Sequence, residues 1–272
     1  MPKKSEKEFL KEKLSITADY YIILFGWILL FFTILGDLYV YMTFPAELTY
    51  FDIIEDGYFS PGVNTALVKV TNDILTLGAV VTFITIIYLL DRHFAIEKLR
   101  KTKVQVKTFS TFGKSKYKMN NYTKVITVIT LLIGIPWIFA NSGFFVSDFP
   151  VLGNIYLAKQ NFDGHSSVHL GSHHGYKGFT FFLLMILVFT TVKYLYNKKI
   201  KIIAGLVCCY LLAWGFYNMF QDFFTEQIFK RGLVNFTFPN TGDYFSISFS
   251  LSVISGILIY TFVWRKLETK TK

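Results

Sequence analysis

The chain has 272 residues and a formal net charge of +10; 53% of it is hydrophobic and 19% aromatic. With 30 Phe and 17 Tyr it is too apolar for a disordered chain, and 2 Cys are too few for a disulfide-built scaffold. A mean hydropathy of +0.42 points to an integral membrane protein, in which the location of the basic residues matters more than their total.

In chain order, residues 1–18 are charged and amphiphilic and read as a cytoplasmic N-terminal segment. The first apolar run lacks a small-residue cleavage site and is too long for a signal-peptide core, so it reads as a retained signal anchor. Runs of about 20 residues with few charges predict spans at about 20–42, 69–90, 122–141, 177–197, 200–221 and 245–264. Pro136 interrupts the third span, which neighbouring helices can accommodate. Only a few residues around Lys198 and Lys199 separate the fourth span from the fifth, which predicts a tight antiparallel hairpin. The expected fold class is an all-α integral membrane protein: a six-transmembrane-helix bundle over 19–264, with short outward-facing cap segments and a cytoplasmic tail at 265–272.

Six crossings put both termini on one side. All of the 28 Lys and Arg fall there except Lys69, Lys159, Lys177, Lys230 and Arg231, so the positive-inside rule makes that side cytoplasmic. Lys69 and Lys177 lie at span ends, where a lysine can snorkel to the headgroups. The basic run from Arg92 to Lys124 suits anionic inner-leaflet lipid, and no nucleic-acid partner is expected. The pattern suits a prokaryotic cytoplasmic membrane. In a eukaryotic internal membrane, Asn235-Phe236-Thr237 would be a lumenal glycosylation sequon. Cys208 and Cys209, adjacent within the fifth span, read as small apolar core residues.

Four of the 5 histidines fall in one stretch just before the fourth span: His165, His169, His173 and His174. On a helix, the first three repeat at i, i+4 and i+8 and share a face, where two imidazoles one turn apart can hold one ion. Carboxylates are expected at the same depth: Asp37 near the outer end of the first span, Asp73 at the outer start of the second, and Asp222 and Glu226 at the outer end of the fifth. Ionisable groups so placed are costly unless they face a partner, water or the bundle interior. Asn72, Asn141, Asn218 and Gln221 lie near enough along the chain to support ligands by hydrogen bonding.

His169-x-x-x-His173-His174 is similar in form to one histidine box of the membrane fatty-acid desaturases and hydroxylases. The likeness covers six residues, and the further boxes of that family are missing. His174-Gly175-x-x-Gly178 resembles a rhomboid-protease helix, without the family's Gly-x-Ser nucleophile. The residue types are also similar to those of the alkaline ceramidase-like zinc hydrolases, but the spacing differs. None of these likenesses implies membership.

The expectation is therefore an outward-facing transition-metal site, with Zn foremost. Its ligands would come from His165, His169, His173, His174, Asp73 and Asp37, with Asp222 and Glu226 in catalytic roles. Its chemistry would be hydrolysis of a lipid or lipid-linked substrate. The alternatives are a cation- or proton-binding or transport protein and an accessory subunit of a membrane complex. The inner halves of the spans offer mainly Thr82, Thr85, Thr127, Thr130, Thr190 and Thr191, with no carboxylate relay for an ion path.

Overall fold

A computed structural model describes residues 18–44, 63–101, 121–146, 149–151, 174–192, 194–229, 232–236, 238 and 247–264. All regular structure among them is helical: α1 Ala18–Thr43, α2 Val63–Asp73, a π-helical segment Ile74–Gly78, α3 Ala79–Lys101, α4 Asn121–Asn141, α5 His174–Val192, α6 Lys198–Phe224, a second π-helical segment Thr225–Phe229, α7 Ile247–Leu258 and a third π-helical segment Ile259–Trp264. Five stretches are long and apolar enough to cross a membrane: Asp19–Thr43, Ala66–Lys98, Asn121–Asn141, Gly175–Val192 and Lys198–Phe224. The segment expected as a sixth span, Phe249–Trp264, is apolar but shorter. Among the described residues the chain is thus all-helical, with five helices of the length and composition of a multi-pass membrane protein.

α5 is the central helix. Of its apolar stretch 72% is buried within the protein, against 28–39% for the other four. Lipid tails are as apolar as leucine, so this burial gains little from the hydrophobic effect and depends on close packing. α5 and α6 pack closely at a pair of glycines. A Cβ on Gly178 would lie 2.5 Å from the Met219 nitrogen, and one on Gly215 would lie 2.7 Å from the Phe182 nitrogen. Only hydrogens on both sides let the two backbones approach this far.

One core cluster joins Leu30 of α1, Val81 and Ile84 of α3, Leu184 and Met185 of α5, and Cys208 and Cys209 of α6. Both thiols are buried and free, as the sequence predicts, and the Cys208 thiol faces the Met185 carbonyl at 3.6 Å. Trp264 closes this cluster: its ring packs on Gly205 and meets Phe189 edge-on, with centroids 5.3 Å apart. A second cluster, of Trp137, Ala140, Tyr176, Phe179, Leu183 and Met219, joins α4 to α5 and α6. Pro136 is buried inside a continuous α4 rather than ending it.

The α5–α6 hairpin forms as predicted, but its boundaries differ from the expected 177–197 and 200–221. α5 begins at His174 and ends at Val192, and α6 runs from Lys198 to Phe224. The reason lies in the turn. Asp91 of α3 accepts hydrogen bonds from the backbone N–H groups of Tyr196 (2.8 Å) and Asn197 (2.6 Å). The Asn197 side chain in turn accepts from the N–H groups of Lys199 and Ile200, capping α6. These groups give the backbone at 196–197 better partners than another turn of α5 would.

Candidate functional site

Three consecutive residues in the first turn of α5 reach four other helices. Gly175 touches α6: a Cβ there would lie 2.2 Å from Asp222 Oδ2 and 2.5 Å from Cε2 of the Trp137 ring. The Tyr176 hydroxyl meets Thr33 Oγ1 of α1 at 2.9 Å. Thr33 spends its only proton on the Leu29 carbonyl, so Tyr176 is the donor in that pair. Lys177 places Nζ 2.9 Å from Asp73 Oδ1 at the end of α2, as an ion pair off the line of a directed hydrogen bond. The turn that follows the histidine run is therefore the hub of a polar layer in an otherwise apolar bundle.

Asp37 and Asp73 meet in this layer. They come from different helices, and their side chains lie within hydrogen-bonding reach of each other. Asp37 is fully buried and Asp73 is 1% exposed. Neither Asp37 oxygen has a hydrogen-bond donor among the described residues. A π-helical segment begins immediately after Asp73, and widened turns of this kind are frequent at functional sites. Lys69 acts on Asp37 from further away, its ammonium lying over the Tyr41 ring at 5.5 Å.

The expected residues are distributed as follows. Asp37 and Asp73 are brought together, and Asp222 of α6, 9% exposed, touches Gly175, the residue after His174 on α5. The helix start fixes the His174 backbone, while the side chains of His174 and Glu226 lie outside the described residues. His165, His169 and His173 also lie outside them. Among the described residues, no three of His, Cys, Asp and Glu come close enough to share an ion.

Lys177 departs from its expected snorkelling: its side chain is 18% exposed and turned to Asp73, because a buried carboxylate attracts an ammonium more strongly than headgroup water does. Sequence reading named Lys177 only as a snorkelling lysine and passed over Tyr176, Thr33 and Trp137. The one available signal was a lysine in the first turn of an apolar span, where a snorkelling residue and an inward-facing one look alike.

Of the amides expected to support ligands, Asn72 is exposed and Asn218 donates to the Trp214 carbonyl at 2.9 Å. Asn141 is buried with its Nδ2 against Gly36, and its Oδ1 has no hydrogen-bond partner among the described residues. The same holds for Trp137 Nε1, beside Gly175. Further toward the other end of the bundle, the threonines Thr85, Thr127, Thr130, Thr190 and Thr191 bond back to carbonyls three or four residues earlier. Comparison with protein families, with curated proteins and with solved structures gives no match.

Proposed function

We propose that this chain is a membrane-embedded metal-dependent hydrolase acting on a lipid or lipid-linked substrate, with its metal held where the histidine run enters the bundle. The observation that carries this reading is the contact of Asp222 with Gly175. It puts a buried carboxylate against the residue that follows His174 in the chain. Imidazoles and a carboxylate make up a common ligand set for Zn, and the bound ion would lower the pKa of a water and polarise an ester or amide carbonyl. In this reading Glu226, four residues beyond Asp222 in the chain, would move protons, and His165 and His169 would complete the ligand set. Trp137 Nε1 next to the carboxylate is a donor available to a substrate oxygen.

In this proposal the bundle has six crossings, counting Phe249–Trp264, with both termini in the cytoplasm of a prokaryotic cell and the histidines on the outer face. The distribution of Lys and Arg supports that orientation. Transport is a weaker reading. Below the polar layer, Leu30, Val81, Leu184 and Met185 pack into an apolar core, and the threonines spend their protons on their own helices.

Elemental analysis of detergent-purified, tag-free protein tests the proposal. About one equivalent of Zn, Cu or Fe is expected in the parent, falling at least tenfold in a His169→Ala, His173→Ala variant and in Asp222→Asn. A parent free of bound metal after reconstitution with each ion would sink the reading. Metal retained in both variants would move the site elsewhere.

A further inference from the structure

We propose that Asp37 and Asp73 form a second site, which takes a hard divalent cation of the Ca²⁺, Mg²⁺ or Mn²⁺ class in exchange for the Lys177 ammonium. The site stands apart from the histidine–Asp222 reading, since none of its ligands is a histidine. Its basis is a mismatch of partners. Two carboxylates within hydrogen-bonding reach are both acceptors, and such a contact is satisfied only by a positive charge or a proton between them. Lys177 supplies an ammonium that ion-pairs with Asp73 Oδ1 at 2.9 Å, and Lys177 and Lys69 act on Asp37 without a hydrogen bond to it. Asp37, with no exposed surface, has both oxygens without a donor among the described residues and is turned toward Asp73. Unsatisfied acceptors this deeply buried are costly, and a cation coordinated by both carboxylates would remove that cost.

Oxygen-only donors favour hard divalent ions over the softer transition metals that imidazole prefers. Lys177 can leave. It lies in the first turn of α5, at the end of the helix, and its side chain keeps 18% exposure, so the ammonium has a short route to the solvent side. A buried pair that opens in this way couples cation binding to the first turn of α5, which also carries the contacts of Gly175 with Asp222 and of Tyr176 with Thr33.

The test is thermal unfolding of the full-length detergent-solubilised protein, titrated with CaCl2, MgCl2 or MnCl2 against NaCl at equal ionic strength. A ligand that binds only the folded state raises Tm with its concentration. The parent is expected to show such a rise with at least one divalent ion. Lys177→Gln removes the competing ammonium and should bind about tenfold more tightly. Asp37→Asn should lose the response, and the His169→Ala, His173→Ala variant should keep it. A parent with no divalent-specific rise overturns the proposal whatever the variants do, leaving Asp37 and Asp73 as a structural ion pair or a proton-sharing pair. A response unchanged in both Asp37→Asn and Asp73→Asn overturns it in favour of adventitious surface binding. A response lost in the histidine variant assigns the ion to the histidine site instead.

Discussion

At the scale of single residues, the polar layer depends on how little space Gly175 takes. A methyl group there would meet a carboxylate oxygen and an indole ring together, at 2.2 and 2.5 Å, and neither can retreat into a packed interior. Gly175→Ala is therefore expected to cost about 1–3 kcal/mol and to displace Asp222, lowering bound metal as well as Tm in detergent. Gly78→Ala is the matched control. Its added carbon would have Leu30 Cδ2 as its nearest neighbour, at an ordinary contact distance of 3.5 Å. Relief of glycine's backbone entropy should leave that variant neutral or more stable by about 0.5 kcal/mol. Equal losses in the two variants would show that Gly175 has no special steric role. The acidic members of this layer could be read from the sequence because a carboxylate in an apolar span is conspicuous. Tyr176 and Thr33 could not, because a hydroxyl in a span is commonplace until its partner is known.

Among the elements, α5 and α6 form the frame on which the others pack. Their crossing depends on Gly178 and Gly215, each of which would drive a side chain into the opposite backbone if substituted. Gly215→Leu should cost about 3 kcal/mol, at the upper end for an overpacked core, and broaden the size-exclusion peak. Leu206→Ala, on a face of the same helix that is 44% exposed, should cost under about 1 kcal/mol when the exposed side meets lipid or detergent. A well-folded Gly215→Leu protein with an unchanged Tm would refute the close-crossing account. Apolar run length predicted where α1, α3, α4, α5 and α6 lie, because a membrane demands about 20 apolar residues per crossing. The ends of α5 escaped it. Asp91 settles one of them from a hundred residues away in the chain, by accepting the N–H groups of Tyr196 and Asn197.

For the whole molecule, the bias of basic residues makes a topological prediction that the shorter Phe249–Trp264 segment puts to the test. With six crossings, cysteines introduced by Lys4→Cys and Lys270→Cys should both resist a membrane-impermeant maleimide in intact cells and react after permeabilisation. The native Cys208 and Cys209 are buried and should contribute little background. Labelling of the 270 position alone in intact cells would mean five crossings and place the C-terminus outside.

The sequence by itself determined that this is an all-helical membrane protein and which of its segments are apolar enough to span. Those properties are local sums of side-chain transfer energies, and they do not depend on what a residue touches. Only the tertiary structure decided that Asp37 meets Asp73, that Lys177 turns inward to that pair, and that Asp222 rests against the backbone beside His174. The Lys177–Asp73 contact joins α5 to α2, far apart in the chain, and the other two join consecutive helices. The Gly178–Gly215 crossing holds α6 against α5, and the first turn of α5 carries Lys177 to Asp73, so that charged groups find partners that lipid cannot supply.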